Sequence, residues 1–409
     1  MTRTPDSTGT SGATGPMNRR APSGWSLAAV TYAFTTVMMG TTLPTPLYPA
    51  YEAQYHFGSL TTTILFAVYA VGVIGALVLF GQASNRFGRR PVLVAGVVVS
   101  LLSAILFITA DAMWVLYVAR IVSGVSAGIF TATGTAAVME NAPKGRTMLA
   151  SALATAANIG GLGLGVLLAG VLAATAATPL RTPYIVHAGL LVIAGLAMFV
   201  VRETIERRPD APVVRLPRVP REARPVFRAS AIGALTGFAS CGIYTSIVPA
   251  FMTELLDVHD PATIGFVAFL LFGASATAQI LFRSRSERTL ITIGCISLVI
   301  GMALMATALL TSLLWVLIAA AVLAGIGQGS LFMGGMRAVT SRTPAESRTE
   351  ATTSFFLVAY VAISVPIVTA GLLTQVLSLT TTGLLCAGAI GVATLLALPF
   401  LGRFSRDRG

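Results

Sequence analysis

Long apolar runs alternate with short polar segments along almost the whole chain. We identify twelve apolar windows, each close to the length of about 20 residues that crosses a bilayer as a helix. The windows are 25–47, 60–80, 91–109, 113–139, 148–175, 184–201, 229–254, 262–282, 289–311, 313–336, 351–376 and 378–402. Glycine and proline occur within them, which membrane helices tolerate better than soluble ones. The pattern predicts an all-α integral membrane protein with twelve transmembrane helices.

The second half of the chain repeats the first at an offset of about 201 residues. Residues 113–138 align with residues 314–339 without a gap. The matched positions include Trp114 with Trp315, Gly124 with Gly325, Gly128 with Gly329, and Gly134 with Gly335. We therefore predict two pseudo-symmetric six-helix bundles of the same orientation, an arrangement that transporters use with a substrate site between the halves.

The predicted organisation has five parts. Residues 1–24 are rich in Ser, Thr, Gly and Pro, a composition typical of a disordered tail. The N-terminal bundle is 25–202, a linker with prolines and charges is 203–228, the C-terminal bundle is 229–402, and a short tail is 403–409.

Composition and charge support a membrane location. Hydrophobic residues make up 55% of the chain and charged residues only 10%, against about a quarter charged in soluble proteins. The net charge of +12 comes from basic residues in the N-terminal tail and in the connections after even-numbered spans, whereas other connections carry acids such as Glu52, Asp111 and Glu254. This asymmetry predicts cytoplasmic termini and explains the charge without a nucleic-acid partner. Arginine supplies nearly all the basic residues, which suits a bacterial cell membrane protein from a GC-rich genome.

The cysteines and glycine motifs predict no metal or cofactor. Cys241, Cys295 and Cys386 lie inside predicted spans, and no His/Cys metal spacing occurs. No phosphate-binding glycine loop is present either, so transport would draw on a gradient rather than on a nucleotide.

The stretch ARIVSGVSAGIF, residues 119–130, contains a literal G-x-S-x-G around Ser126. In a soluble hydrolase this pattern marks a nucleophile on a strand-to-helix turn, but no strand is predicted here. The repeat replaces Ser126 by Gly327 and keeps the flanking glycines, which favours tight helix packing. An intramembrane serine hydrolase, with His187 as the base, remains a remote alternative.

Arg120 lies in the same run and has Ala321 as its repeat partner, so packing alone does not require a cation. A buried arginine in a membrane helix is costly and normally faces the bundle interior or a water-filled cavity. The alternative is that Arg120 extends along the helix to the outer membrane surface.

Three stretches resemble the major facilitator superfamily, and within it the twelve-helix drug/proton antiporters. The first, GQASNRFGRRP between the second and third spans, is similar to the family's G-x-x-x-D-R-x-G-R-R signature, which holds the cytoplasmic gate. Its matching residues are Gly81, Arg86, Gly88, Arg89 and Arg90. Asn85 replaces the carboxylate, which in the family faces the start of the eleventh helix, so a weaker cytoplasmic lock is expected.

The other two stretches lie in the fourth and fifth spans. Arg120 with Ser123, Gly124 and Gly128 resembles the family's fourth-helix motif, whose arginine is implicated in proton coupling. GLGLGVLLAG resembles the fifth-helix antiporter motif through Gly161, Gly165 and Gly170, with Val166 in place of its proline. Glycines placed for close helix packing explain this stretch almost equally well.

The resemblance implies alternating access around a central cavity lined by helices 1, 4, 7 and 10. Candidate cavity residues are the polar groups of these and neighbouring spans, including Tyr32, Asn158, Tyr244, Gln328 and Tyr360. No acid lies deep in a span, so candidates for proton coupling are Arg120 and His187, with Glu52 and Glu140 more peripheral.

Two transport functions therefore remain open. The first is proton-coupled efflux of a small hydrophobic or drug-like compound by a monomer, as the resemblance implies. The second is facilitated or proton-linked movement of a neutral or anionic metabolite, because a buried cation without a buried anion disfavours cationic substrates.

Overall fold

The computed structural model describes residues 24–143, 145–210 and 218–403, and within these it contains helices and no strand. The long helices are α1 (Gly24–Thr42), α2 (Ser59–Phe80), α3 (Arg89–Ile108), α4 (Met113–Asn141), α5 (Thr147–Thr155 and Gly161–Thr175, joined by the π-helical turn Ala156–Gly160), α6 (Thr182–Ala197), α7 (Arg224–Ser246), α8 (Pro261–Leu281), α9 (Glu287–Thr311), α10 (Leu314–Ser341), α11 (Arg348–Leu373) and α12 (Leu379–Arg403). The predicted all-α membrane fold is confirmed.

Eleven of the described helical segments are long and apolar enough to cross a membrane. The sixth predicted span is apolar but shorter, since α6 has 16 residues. Turn hydrogen bonds continue this segment as far as Val201, so its apolar length approaches that of the others.

Prolines divide the first and seventh spans, which were each predicted as one helix. After α1 ends at Thr42, the chain forms a short 3₁₀ turn, Thr45–Leu47, and a second helix, Tyr48–Tyr55. After α7 ends at Ser246, a short helix follows at Val248–Glu254. Pro44, Pro46 and Pro249 lie at these breaks, where a missing N–H and a ring clash prevent an unbroken helix.

The boundaries near the linker and tails differ from those predicted. The seventh helix begins at Arg224 rather than at residue 229, because a proline in the first turn of a helix costs no hydrogen bond. The last residues of the predicted linker 203–228 are therefore helical. The tails predicted at 1–24 and 403–409 lie outside the described residues, apart from Gly24 and Arg403, which are helical.

The G-x-S-x-G stretch of α4 is a helix-packing surface against α2. A Cβ on Gly124 would lie 3.1 Å from the Cα of Gly72 and collide with the Tyr69 carbonyl, and a Cβ on Gly128 would lie 2.7 Å from the Cβ of Ala76. In the second half, Gly325 and Gly329 of α10 contact α8 in the same way. Small residues thus allow the backbones to approach closely, as the repeat predicts.

The two halves meet along two helix pairs, α5 with α8 and α2 with α11. At the end opposite the chain termini, called the distal end below, both pairs are in close contact. A Cβ on Gly170 of α5 would lie 2.5 Å from the Pro261 carbonyl oxygen of α8 and 3.2 Å from the Cα of Gly265. A Cβ on Gly371 of α11 would lie 2.8 Å from the Cγ2 of Thr63 on α2.

Candidate functional site

A cavity lies between the two halves, and the space that atoms leave free in and around it, open solvent included, is about 630 Å³. The first half lines it with Thr41, Thr42, Phe66, Tyr69, Asn158, Ile159 and Leu162, and the second half with Phe238, Cys241, Thr245, Phe272, Gln328, Phe332, Phe356, Tyr360 and Ile363. Both halves therefore contribute to its wall, in the position where transporters built from parallel repeats bind substrate.

The cavity wall is aromatic and uncharged. Five phenylalanines and two tyrosines line it, together with a few hydroxyl and amide groups. No Asp, Glu, Lys, Arg or His belongs to the lining that the described residues form. A mostly apolar cavity with a few placed polar groups suits a hydrophobic ligand.

Three of the five predicted cavity residues, Asn158, Gln328 and Tyr360, lie in this lining. The other two do not line it. Tyr32 turns toward α6, where its hydroxyl donates to the Leu190 carbonyl at 3.1 Å. Tyr244 is fully buried within the second half. Polarity within a span identified the candidates, but the side of the helix on which each lies depends on the packing.

The phenylalanines of the lining were not predicted, because only polar groups were considered. Phe66, Phe238, Phe272, Phe332 and Phe356 all face the cavity. Other phenylalanines of similar spans, such as Phe199, are exposed on the outer surface of the bundle. Aromatic residues in membrane helices occur in both settings, so sequence alone gave no signal that separated them.

Asn158 reaches the cavity from the π-helical turn Ala156–Gly160 of α5. Such a turn inserts one extra residue into a helix and is frequent at functional sites. Ile159, in the same turn, also lines the cavity. The irregular turn thus widens α5 where the two halves face each other.

Tyr360 of α11 connects the second half to the first across the cavity. Its hydroxyl lies 3.4 Å from the Thr131 hydroxyl of α4. Its ring packs edge-on against Tyr69 of α2, with the ring centroids 6.3 Å apart. A ligand that moved this ring would change contacts on both sides of the interface.

Gln328 of α10 is 1% exposed and belongs to a short polar chain between α10 and α8. Its Oε1 accepts a hydrogen bond from the Ser275 hydroxyl at 2.5 Å, and this hydroxyl accepts from Gln279 Nε2 at 3.4 Å. Gln328 Nε2 has no hydrogen-bond partner among the described residues. A buried donor without a partner carries an unrecovered desolvation cost.

Arg120 of α4 is 1% exposed. Its Nη1 donates to the Thr41 carbonyl at 2.7 Å and its Nε to the Leu65 carbonyl at 3.3 Å. The guanidinium carbon lies 4.6 Å from the ring centroid of Tyr69 and 5.4 Å from that of Phe66. Because both rings line the cavity, the charge lies directly behind the cavity wall. The side chain does not extend to the membrane surface.

The Nη2 of Arg120 has no partner among the described residues. An arginine presents five N–H donors in a fixed plane, and the carbonyls of α1 and α2 occupy only part of this set. The guanidinium is therefore held by backbone groups of two different helices, with no carboxylate bonded to it in the described part of the chain. Any shift between α1, α2 and α4 changes its contacts.

His187 of α6 is buried away from the cavity lining. Its Nε2 lies 2.9 Å from the Thr36 carbonyl of α1. Gly40 of α1 lies against the ring, so that a Cβ there would come within 2.5 Å of Cε1. The ring thus fixes α6 to α1 inside the first bundle.

Ser126 and His187 do not pair. The Ser126 hydroxyl donates to the Gly96 carbonyl of α3 at 2.8 Å, whereas His187 bonds to α1. A serine nucleophile needs a base within hydrogen-bond reach. The described residues do not form a serine hydrolase site at this position.

The loop between α2 and α3 carries the residues that resemble the gate signature. Gly81 ends α2, a short helix Ala83–Phe87 follows, and Gly88 has φ +100°, a conformation that favours glycine. Asn85 Nδ2 donates to Gln82 Oε1 at 2.6 Å, and the Asn85 carbonyl accepts from the Arg208 amide at 3.0 Å. Asn85 therefore bonds within its own half rather than with α11, in contrast to the position that the resemblance implies.

The basic residues of this loop make their contacts within the same half. Arg89 pairs with Glu140 at the end of α4, with N···O of 2.9 Å. Glu203 accepts from the amides of Arg89 and Arg90 at 2.8 and 3.3 Å, which places a carboxylate at the start of α3. The guanidinium groups of Arg86 and Arg90 lie over the rings of Phe87 and Phe199.

The glycines of α5 contact two different helices. A Cβ on Gly161 would lie 2.8 Å from Met38 Cβ, and a Cβ on Gly165 would lie 2.5 Å from Thr42 Oγ1, both on α1. Gly170 faces α8 of the other half. One motif therefore serves packing within the first bundle and contact between the bundles.

Comparisons with known proteins agree with this architecture. A bacterial homolog of the human lysosomal transporter Spinster, in an inward-facing and occupied conformation, superposes with a TM-score of 0.72 at 14% identity, covering 96% of this chain and 98% of that one. The same homolog in its unoccupied conformation gives a TM-score of 0.73, also at 14% identity, covering 93% and 96%. At this identity the likeness concerns the fold alone.

Sequence relatives match over shorter segments. The class G tetracycline resistance protein of Vibrio anguillarum is 35% identical over 85 residues, 21% of this chain and 20% of its own length. The class H protein of Pasteurella multocida is 28% identical over 213 residues, 51% of this chain and 48% of its own. Multidrug resistance protein 2 of Bacillus subtilis is 25% identical over 173 residues, 41% of each. The matches thus span half or less of these relatives.

One family model extends over most of the molecule. It matches residues 30–365, from α1 into α11, and therefore includes the cavity and both halves of the repeat. Because this match covers most of the chain, the chain belongs to the Major Facilitator Superfamily.

Proposed function

We propose that this transporter exports a small hydrophobic or drug-like compound across a bacterial cell membrane in exchange for protons. The observation that carries this proposal is the aromatic, uncharged cavity between the two halves. Relatives named for tetracycline and multidrug resistance support an efflux role. Alternating access would rock the halves about this cavity.

Arg120 is the residue that we assign to proton coupling. Its charge lies behind Tyr69 and Phe66, and its bonds go to carbonyls of α1 and α2. A ligand that contacts these rings would change the environment of the guanidinium. This change would alter the proton affinity of the titratable groups near it. His187, which links α6 to α1, is the second candidate.

The proposed orientation has both termini in the cytoplasm and the distal end facing outward. The loop between α2 and α3 would then act as the cytoplasmic gate, through Gly81, Asn85, Arg86, Gly88, Arg89 and Arg90. The bonds of Asn85 and Arg89 within the first half support a lock that is weaker between the halves than in relatives with a carboxylate at this position. The transporter is proposed to act as a monomer.

A second function, facilitated or proton-linked transport of a neutral or anionic metabolite, has one observation in its favour. The described residues place no carboxylate in the cavity lining, while the Arg120 cation lies just behind it. A fixed positive charge without an anion favours neutral or anionic ligands. In its facilitated form, this alternative predicts movement of substrate that does not depend on the proton gradient.

Everted membrane vesicles test the two functions. The vesicles are energised to be acidic inside, and a pH dye reports proton release as a chemically diverse panel of aromatic compounds is added. We expect some compounds to dequench the dye with the wild type and none with Arg120→Ala. Ser126→Ala is the matched control, because Ser126 is equally buried on α4 but bonds to α3.

Each result decides between the functions. Dequenching that is lost in Arg120→Ala and kept in Ser126→Ala supports proton-coupled efflux. Movement of a labelled compound without any dye response supports the gradient-independent alternative. Loss of function in Ser126→Ala would instead support a chemical role for the Ser126 hydroxyl.

A further inference from the structure

The amide of Gln328 differs from the rest of the cavity wall in having an unused donor. Its Oε1 is occupied by the Ser275 hydroxyl at 2.5 Å, while Nε2 is buried and unpartnered among the described residues. Membrane interiors supply few alternative partners for such a group. A ligand that brought an acceptor to Nε2 would recover the cost of burying it.

The packing around Gln328 fixes the direction of the amide. Gly237 of α7 lies against the side chain, so that a Cβ there would come within 3.2 Å of Gln328 Cγ. Ser275 of α8 holds Oε1, and Gln279 Nε2 donates to the same hydroxyl. With its stem and its oxygen both held, the amide of this lining residue has only its buried nitrogen left to bond a ligand.

The internal repeat does not require this glutamine. In the ungapped alignment of residues 113–138 with 314–339, Gln328 corresponds to Ala127. Ala127 is fully buried in the core of the first half, so a small apolar residue satisfies helix packing at this position. The amide therefore occurs only in the second copy of the repeat, as the Arg120 guanidinium occurs only in the first.

Aromatic rings surround the amide within the cavity. Phe332 lies one turn further along α10, Phe272 lies one turn before Ser275 on α8, and Phe238 follows Gly237 on α7; all three line the cavity. The Phe238 and Phe332 rings pack edge to face, with centroids 5.4 Å apart. A ligand at Nε2 therefore meets ring faces and edges on several sides.

We propose that Gln328 is the specificity-determining hydrogen-bond donor of the cavity, and that the site selects neutral aromatic compounds bearing a carbonyl or similar acceptor. This inference rests on the proposed function only in taking the cavity as the substrate site. The absence of charged side chains in the described lining makes neutrality part of the selection, because an ion would lose its hydration without a partner.

Fluorenone and fluorene test the proposal, since they are flat, neutral and nearly identical in shape but differ in the carbonyl oxygen. Binding of each tritiated compound is measured by equilibrium dialysis of the full-length protein in nanodiscs, with empty nanodiscs subtracted for lipid partition. We expect the wild type to prefer fluorenone by about tenfold, the size of one buried hydrogen bond. In Gln328→Leu the preference should fall to about one, with fluorene still bound.

Two further variants separate recognition from structure. Gln279→Leu is the matched control, because Gln279 belongs to the same polar chain but does not line the cavity; it should keep the preference. Gln328→Glu has the size of the wild-type side chain but presents no donor when ionised, so it should lose the preference and gain affinity for the aromatic cation 9-aminoacridine. Gln328→Glu also tests the role of the donor if Gln328→Leu does not fold.

The proposal is overturned if the wild type binds neither compound, binds both equally, or keeps its preference after both substitutions of Gln328. No gradient is present in this experiment, so its outcome is independent of coupling. A preference for fluorenone with no proton-linked efflux in vesicles would reject the proposed function but support the donor site. Proton-linked efflux without a preference for fluorenone would support the proposed function and reject the donor site.

Discussion

Gly165 lies where α5 crosses α1, and its lack of a side chain determines how close the two helices come. A Cβ at this position would collide with the Met39 carbonyl and lie 2.5 Å from Thr42 Oγ1, whose hydroxyl donates to the Leu162 carbonyl at 2.6 Å. Gly165→Ala should therefore destabilise the protein by about 1–3 kcal/mol, the usual cost of overpacking. Thermal unfolding in detergent measures the change.

Gly189→Ala is the control for this substitution. A Cβ on Gly189 of α6 would have no heavy atom within 4 Å, so alanine should be tolerated or should stabilise the helix by up to about 1 kcal/mol. Equal melting temperatures for the two variants would contradict the packing role of Gly165 and would leave the resemblance to the antiporter motif without a structural basis.

At the level of single residues, the sequence identified polar outliers but not the directions in which they point. Arg120 was recognised because the repeat has alanine in the other half, and Gln328 because it is a polar group within an apolar span. The partners of Arg120 are backbone carbonyls of α1 and α2, and a sequence carries no mark that distinguishes one backbone carbonyl from another. The same reason explains why Tyr32 was placed in the cavity although it bonds to α6.

Helix ends offer a test at the scale of one element. Asp260 precedes α8 and caps it, since its side chain accepts hydrogen bonds from the amides of Ala262 and Thr263 at 3.2 and 3.0 Å. The hydroxyl of Thr263 also donates to it, at 2.6 Å, and this bond is the main cause that lowers the pKa of the Asp260 carboxyl below its ordinary value. Asp260→Ala should lower the free energy of unfolding by about 0.5–2 kcal/mol. The change should lie toward the low end because the Asp260 carboxyl is largely exposed.

The pH dependence of this cap follows from the direction of the shift. A carboxyl whose pKa is lower in the folded state contributes stability above its unfolded pKa, and this contribution is lost as the pH falls through the folded pKa. The difference in melting temperature between wild type and Asp260→Ala should therefore be complete at neutral pH and should shrink in acid. Asp257→Ala is the control, because its exposed pair with His259 is expected to contribute little. A difference that stayed constant into acid would rule out the carboxylate as the cap.

Elements as a whole were easier to predict than their ends. Apolar windows found the position of every long helix, because a bilayer sets a minimum apolar length. The breaks after Thr42 and Ser246 were missed although the prolines were visible, because membrane helices often continue through a proline. The π-helical turn Ala156–Gly160 has no sequence signature at all, yet it carries Asn158 into the cavity.

The internal repeat makes a prediction about the whole molecule, because Gly170 and Gly371 are repeat partners that close the distal end on opposite sides of the cavity. Gly170 contacts Pro261 and Gly265 of α8, and Gly371 contacts Thr63 of α2. A leucine at either glycine cannot fit when the halves are closed there, so Gly170→Leu and Gly371→Leu should both shift the population toward a state open at the distal end. Spin labels at Ala177 and His259, in a variant without native cysteines, report the distance between the halves, which should lengthen in both. Gly189→Leu, on a face with free space, should leave it unchanged. If only one of the two substitutions opened the distal end, the halves would not move as the symmetric pair that the repeat implies, and the closure would depend on a single helix pair.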